Sequence, residues 1–240
     1  MNTEIDIKNR SMHLHSAILL YGNGDHVYYA TRHAVQQSPD GAPVILPGSP
    51  ISEENLYDAY SELIGETSLQ MLDKNTLAFN VNTLVFWSPP KVRHVRFICP
   101  EPMGSASGYA PHPGLIFVWK KHELSVFAVK GRKKPSLSTQ IFHAPYMNLF
   151  EDGDMCLGNV VLPKPEPCNV PACEAAFFQS YFTHANTSKQ VNYPGGIYSL
   201  WIDLLKPEGD GSSVFPEEVL VPKTPVNGKK YTVADLLARG

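Results

Sequence analysis

The sequence predicts an α+β fold in which an antiparallel β-meander carries packed helices and follows an N-terminal β extension. Between residues 77 and 142, short β-rich runs follow one another, separated by Pro or Gly. Helical patterns flank this region on both sides. Charged residues make up 18% of the chain, and 21 of its 240 residues are Pro, a composition typical of a loop-rich and strand-rich protein.

The first part of the chain predicts a β-hairpin and then a helix. Two apolar runs, 15–21 and 27–31, flank Asn23-Gly24, a pair that tolerates the positive φ of a tight hairpin. After a Pro-rich connector, Ser52 is a suitable N-cap, and apolar residues at helical spacing predict a helix over 52–64. We therefore assign 1–49 to a β-hairpin extension.

The residues after the meander include two predicted helices and one run whose structure is ambiguous. Residues 172–183 form a broad apolar face, which predicts a helix packed across the sheet. Residues 197–205 fit a strand or a helix, whereas 233–238 predict a short helix. We assign 50–205 to one domain and 206–240 to a C-terminal tail packed on it.

Composition excludes several classes of function. With 20 basic and 23 acidic side chains the net charge is −3, so no basic surface for nucleic acid or an anionic membrane is expected. Four unevenly spaced cysteines do not form a disulfide framework, and the first apolar run is too short for a secretory signal, so we expect a reduced, cytoplasmic protein. Cys168 and Cys173 lack a second ligand pair, so we expect no metal or other cofactor.

One irregular passage, 143–158, carries a motif that points to chemistry. It reads N-x4-G-x2-C-L, and its four defined positions are Asn148, Gly153, Cys156 and Leu157. The pattern resembles the ubiquitin-conjugating enzymes, in which a sheet meander is followed by His-Pro-Asn, a loop with a glycine, and an active-site cysteine and leucine. Here Tyr146-Met147 stand where that family has His-Pro. The resemblance implies a ubiquitin-conjugating-like fold and a thioester to a ubiquitin-like protein on Cys156.

Three further stretches resemble a narrower bacterial group. They are PHPGLIF at 111–117, APYMN with the later CLG, and FFQSYFTH at 177–184. They are similar to the B proteins of the ParB-related, ThiF-related (PRTRC) cassette of plasmids, a prokaryotic branch of the ubiquitin-conjugating superfamily. That resemblance implies a ThiF-like activating enzyme and a ubiquitin-like protein as partners, with a JAB-type peptidase as a cassette neighbour.

The candidate catalytic residues are Cys156, Asn148, His143 and His184. A thiolate is a strong nucleophile and a good leaving group, which suits acyl transfer. Asn148 is expected to donate to an oxyanion or to hold its own loop, and Gly153 to allow a close approach of the loop backbone to Cys156.

Two other functions remain open from the residues alone. Either histidine is a candidate base for a Cys-His thiol hydrolase, with His143 also suited to loop structure and His184 to helix capping. A catalytically silent binding module of the same fold is the other alternative.

Overall fold

A computed structural model gives the fold. It describes residues 5–7, 10–12, 14–24, 26–52, 56, 71–80, 82–120, 122–158, 160–163, 166, 169–188, 190–206, 214–223 and 229–238. The chain forms two compact units, 1–69 and 70–240. The predicted helix over 52–64 lies almost wholly outside the described residues, and the predicted domain boundaries stay predictions.

The first unit is built of antiparallel strands. They are β1 (Ile5–Ile7), β2 (Arg10–Met12), β3 (Ser16–Asn23), β4 (His26–Gln37), β5 (Pro43–Ile45) and β6 (Ser49–Pro50). β1 pairs with β2, and β4 pairs with β3, β5 and β6. The turn between β3 and β4 contains Gly24 at φ 58°, so the predicted hairpin is confirmed.

The second unit contains a five-stranded antiparallel sheet. Its strands are β7 (Thr76–Phe79), β8 (Thr83–Ser88), β11 (Gly114–Lys120), β12 (Leu124–Val129) and β13 (Phe142–His143), in the spatial order β13-β12-β11-β8-β7. β9 (Lys91–Ile98) and β10 (Ser105–His112) form a separate antiparallel pair. The predominance of antiparallel sheet over helix agrees with the predicted α+β class.

The two sheets of this unit are parts of one long hairpin. Ser88 lies opposite Leu115 in the larger sheet, and Lys91 lies opposite His112 in the smaller one, so the register is the same in both. The pairing is interrupted at Pro89-Pro90 and Pro113, because Pro has no N–H to donate to a ladder. The β9–β10 hairpin therefore extends β8 and β11.

Three α-helices and one 3₁₀ turn complete the described part of this unit: α1 (Val170–Phe178), α2 (Gly196–Leu205), α3 (Val233–Leu237) and the turn Glu217–Val219. The ambiguous run 197–205 is helical. The prediction of a helix through residue 183 is wrong at its end, because Phe182 instead joins the outer edge of β9. The Phe182 N–H donates to the Arg96 carbonyl, and its own carbonyl accepts the Ile98 N–H, both at 2.9 Å.

Both faces of the larger sheet are covered. Phe86 and Phe117 face a cluster that includes Tyr146, Phe177 and Trp201. The residues next to them on the strands face a second cluster, to which the C-terminal segment also contributes. This cluster includes Trp87, Ile116, Phe127, Tyr231 and Val233. Because successive side chains of a strand alternate between faces, the apolar runs at 84–87 and 115–119 contribute to both clusters. The edge of the sheet remains available to position the Cys156 loop.

Candidate active site

Cys156 follows a loop that is attached to the edge of the larger sheet. The Met155 N–H donates to the Leu124 carbonyl at 2.8 Å. The Val126 N–H in turn donates to the Gly153 carbonyl at 2.9 Å. Residues 153–155 thus pair with the part of β12 that β13 does not reach, and the half-buried Cys156 lies where this added pairing ends.

Gly153 makes a close approach to the ring of Phe127, whereas its expected effect on the approach of the loop to Cys156 stays a prediction. Its φ is 105°, and a Cβ added there would lie 2.4 Å from the Phe127 Cε1 atom. Both the positive φ and the missing side chain are therefore required. The glycine of the motif seats the loop against the ring of Phe127.

The backbone of Asn148 joins Cys156 to the segment after α1. The Asn148 carbonyl accepts the Cys156 N–H at 2.7 Å, and the Asn148 N–H donates to the His184 carbonyl at 2.9 Å. The backbone of Asn148 therefore lies between those of Cys156 and His184. Asn148 has φ 63°, a left-handed conformation that Asn adopts more readily than most residues.

The side chain of Asn148 is buried and makes hydrogen bonds to the segment 181–184. Its Nδ2 donates to the Tyr181 carbonyl at 2.8 Å. Its Oδ1 accepts the Thr183 N–H at 2.9 Å and the Thr183 hydroxyl at 2.8 Å. The amide thus fixes this segment beside the Cys156 loop, which is the loop-holding geometry considered for Asn148.

His184 is exposed, and its tautomer follows from its partner. The Thr183 Oγ1 lies 2.9 Å from the His184 Nδ1. Because the only hydrogen of the Thr183 hydroxyl is donated to Asn148, the His184 Nδ1 must carry a hydrogen and donate it to Oγ1. The neutral imidazole therefore keeps its lone pair on Nε2, which is free to accept a proton.

His143 occupies a different environment. It is buried on β13 opposite Phe127, and its N–H donates to the Val221 carbonyl at 2.9 Å. Its strand neighbour Phe142 faces the first core cluster, so alternation directs the His143 side chain toward the face of Phe127. Of the two candidate histidines, backbone hydrogen bonds bring only His184 beside the Asn148–Cys156 pair.

The other described cysteines are less suited to nucleophilic chemistry. Burial raises the pKa of Cys99 to about 11, and its Sγ lies 3.4 Å from the Phe182 carbonyl. Burial, with a smaller contribution from Glu166, raises the pKa of Cys173 to about 12. Since the thiolate is the reactive form, neither competes well as a nucleophile near neutral pH. Cys168 lies outside the described residues.

The stretch before Asn148 is held by buried polar contacts. The Gln190 amide donates to the Tyr146 and Leu149 carbonyls at 2.8 and 3.2 Å, and the Trp201 indole donates to the Pro145 carbonyl at 2.7 Å. Sequence reasoning did not find Gln190, because an isolated glutamine carries no pattern. These bonds fix the backbone that leads to the site.

Tyr146, which stands where the resembling family has histidine, forms a buried pair with His112. The Tyr146 hydroxyl lies 2.5 Å from the His112 Nδ1, and the two rings are stacked. Burial, reinforced by the Arg93 guanidinium, lowers the pKa of His112 to about 3, while burial raises the pKa of Tyr146. Both side chains are thus neutral, and they join the Cys156 region to the end of β10.

The acidic part of the loop is held by Lys223. Its ammonium donates to the Glu151 and Asp152 carbonyls at 3.2 and 2.7 Å and lies 5.2 Å from the centre of the Phe127 ring. Both acidic side chains are exposed. Lys223 was not identified from the sequence, since a lone lysine 67 positions after Cys156 gives no signal.

Two general findings bear on the kind of site. Among the described residues, no three His, Cys, Asp or Glu side chains are grouped so that they could hold a metal ion. No helix in the described part of the chain has the length and apolar character needed to cross a membrane.

Comparison with known proteins identifies a family. The model of prokaryotic E2 family D, a family of ubiquitin-conjugating-like proteins, matches residues 53–223. No curated protein and no solved structure matches the chain significantly. The matched span contains the sheet, α1, α2, Asn148, Cys156 and Lys223, and it covers well over half of the chain. The chain therefore belongs to prokaryotic E2 family D.

Proposed function

We propose that the protein is an acyl carrier that receives a ubiquitin-like protein as a thioester on Cys156 and passes it to an amine. The observation that carries this proposal is the placement of Cys156: its N–H bonds to Asn148, on a loop paired to the sheet edge, in a chain of an E2-like family. The thiol is half-buried, and the exposed His184 is joined to Cys156 through the backbone of Asn148.

The first step exchanges one thioester for another. The Cys156 thiolate attacks the C-terminal carbonyl of the ubiquitin-like protein, which is bound as a thioester to a cysteine of the activating enzyme. A tetrahedral oxyanion forms and collapses, and the thiolate of the activating enzyme leaves. One carbon–sulfur bond forms and one breaks, so the step requires no cofactor on this chain.

The second step transfers the acyl group to an amine. The neutral amine attacks the carbonyl, the Cys156 thiolate leaves, and the nitrogen loses a proton. His184 is our candidate for the proton acceptor, because its Nδ1 is committed to Thr183 and its Nε2 is the free base. His184 also lies on the segment that bonds to Asn148, whose carbonyl accepts the Cys156 N–H.

In this proposal Asn148 is a positioning residue. Its three short side-chain hydrogen bonds go to Tyr181 and Thr183, so its main effect on transfer is exerted through His184. A direct bond from its Nδ2 to the oxyanion is the alternative role. Replacing Thr183 by Val distinguishes the two, because it removes the contact to His184 and leaves the Asn148 amide in place. If Thr183→Val slows transfer as much as Asn148→Gly does, the result supports the positioning role of Asn148.

The narrower resemblance supplies the partners of the proposal. A ThiF-like activating enzyme would charge Cys156, a ubiquitin-like protein would be the cargo, and a JAB-type peptidase would remove the cargo from its acceptor. These are the components that the resemblance to the B proteins of the PRTRC cassette implies.

The test is a charging assay with the full chain. The protein is incubated with ATP, Mg²⁺, and a ThiF-like activating enzyme and a ubiquitin-like protein from a PRTRC cassette, and the products are separated with and without reducing agent. We expect an adduct that thiol reagents cleave. Cys156→Ala should abolish it, whereas the matched control Cys99→Ala should charge normally. An adduct that persists in Cys156→Ala would overturn the assignment.

The same assay separates the other two functions. A thiol hydrolase would release the ubiquitin-like protein, or cleave a simple thioester, without ATP. A silent binding module would form no adduct with either cysteine variant or with the unmodified chain. For the base, discharge to free lysine at one fixed pH should be slower in His184→Gln than in the unmodified protein, while charging remains normal.

A further inference from the structure

The outer edge of β9 is only partly paired. On one side β9 forms its ladder with β10. On the other side Phe182 bonds to the Ile98 N–H and the Arg96 carbonyl. In an antiparallel strand the N–H and C=O groups of alternate residues point to the same side. The backbone groups of Val92 and His94, and the Arg96 N–H, therefore point to the outer edge.

No described residue bonds to these remaining backbone groups of Val92, His94 and Arg96. The chain that pairs through Phe182 turns away at Ser180, whose N–H donates back to the Phe177 carbonyl at 3.2 Å. A free strand edge is a template for another strand, and this one already pairs with an extended segment at its end.

The free edge borders a groove. Helix α1 forms the opposite wall through Pro171, Ala175 and Gln179, and the space between helix and strand measures about 480 Å³. We call it the β9–α1 groove. A groove between a strand edge and a helix is the geometry by which several peptide-binding domains take up an extended peptide as an added strand.

The groove has a positive charge balance. Glu174 forms ion pairs with Arg93 at 2.6 Å and Lys91 at 3.3 Å. Burial by itself raises the pKa of Glu174, but Arg93, Ser88 and Lys91 together lower it, so this carboxylate is ionised. Arg96 is exposed and has no ion pair among the described residues. The residues that line the groove thus include two arginines, Arg93 and Arg96, and one carboxylate, Glu174.

We propose that the β9–α1 groove binds an extended, acidic segment of a partner protein, which adds to β9 as a strand. The unpaired backbone groups supply the hydrogen bonds, and Arg96 with the excess positive charge selects acidic side chains. Pairing of two copies through the same edge would bring two positively charged grooves together, which disfavours self-association there. This inference does not depend on the chemistry of Cys156.

The test uses a labelled peptide and two variants of one residue. The probe is a fluorescein-labelled octapeptide of alternating Glu and Val, and its control has Lys in place of Glu. His94→Pro removes the outward N–H without touching the ladder to β10, whereas the matched variant His94→Ala keeps that N–H. Fluorescence anisotropy measures binding, and circular dichroism checks that both variants are folded.

We expect the acidic probe to bind the full chain and His94→Ala with similar affinity, and His94→Pro about tenfold or more weakly. Arg96→Glu, which leaves the backbone intact, should also weaken binding and reduce its dependence on salt. Cys156→Ala should bind normally, so a failure of the proposed transfer chemistry leaves this result unaffected. Equal binding by His94→Pro and His94→Ala, or preference for the Lys peptide, would overturn the proposal, as would self-association abolished by His94→Pro.

Discussion

Replacing Asn148 by Gly and, separately, by Ala tests whether this residue holds the active-site region together. Both changes remove the three short side-chain bonds to Tyr181 and Thr183. At about 0.5–1.5 kcal/mol each, these amount to roughly 1.5–4.5 kcal/mol of stability. Ala must also adopt φ 63°, at a cost of about 1–2 kcal/mol, whereas Gly adopts it freely but loses about 0.5–1 kcal/mol through its more flexible unfolded chain. We expect Ala to be the less stable variant by about 1 kcal/mol.

Urea unfolding followed by tryptophan fluorescence measures these changes. All three tryptophans, Trp87, Trp119 and Trp201, lie in the unit 70–240, so the signal reports on the part of the chain that contains Asn148. The midpoint should fall in both variants with little change in slope. If both stay within about 0.5 kcal/mol of the unmodified protein, the amide does not hold the segment. If Ala is as stable as Gly, the argument from φ is wrong.

Three other changes test the surroundings of the site. Gly153→Ala should displace the loop from Phe127 and slow charging of Cys156, because the added Cβ would lie 2.4 Å from a ring carbon at a φ of 105°; normal charging with unchanged stability would contradict this. Lys223→Met should leave the two loop carbonyls without their donor and cost about 1–2 kcal/mol in urea unfolding, with Lys229→Met, on an exposed residue, as the control. The third change concerns pH: the pKa of His112 is about 3 in the folded chain and about 6.5 when unfolded, so the unfolded state binds more protons between these values and stability falls as pH drops through that window. His112→Phe should reduce the loss of stability between pH 7.5 and 5, measured by urea unfolding at each pH, and an unchanged loss would show that His112 is not its source.

The strands that could be predicted are those whose own side chains determine their structure. β11 and β12 consist largely of Val, Phe, Leu and Ile, and they are buried on both faces. β10 was not predicted, because Gly108 and Pro111 and its small side chains favour a turn. It forms a strand because β9 pairs with it along its whole length. That pairing is a tertiary contact, and no pattern in the sequence of β10 itself indicates it.

At the end of α1, too, tertiary contacts override the preference of the local sequence. Residues 179–183 continue an apolar helical pattern, yet Phe182 bonds to β9 and Thr183 bonds to Asn148. The partners of Phe182 lie 84 and 86 positions away in the sequence, and that of Thr183 lies 35 positions away, so their contribution could not be estimated from spacing. A helix through residue 183 would have left the side chain of Asn148 buried without these partners, at a cost greater than the propensity of one helical turn.

The candidate site was predictable in part, because some of its contacts are local in the sequence and others are not. The motif N-x4-G-x2-C-L contains the local relation of Asn148 to Cys156, which the structure realises as one backbone hydrogen bond. The sequence could not decide between His143 and His184, because the answer depends on which segment lies on the far side of Asn148. His184 does, through its carbonyl, and His143 lies on β13 instead.

The segment 178–184 connects the two sites that we propose. Phe178 and Gln179 at its start line the β9–α1 groove, Phe182 at its middle occupies the edge of β9, and Thr183 and His184 at its end are bonded to Asn148. A strand added to β9 would therefore lie directly beyond Phe182 on the same edge. Because Phe182 is fully buried between Phe97 and Tyr146, the segment cannot shift at one end without disturbing packing at the other, so the groove and the cysteine loop share one structural support.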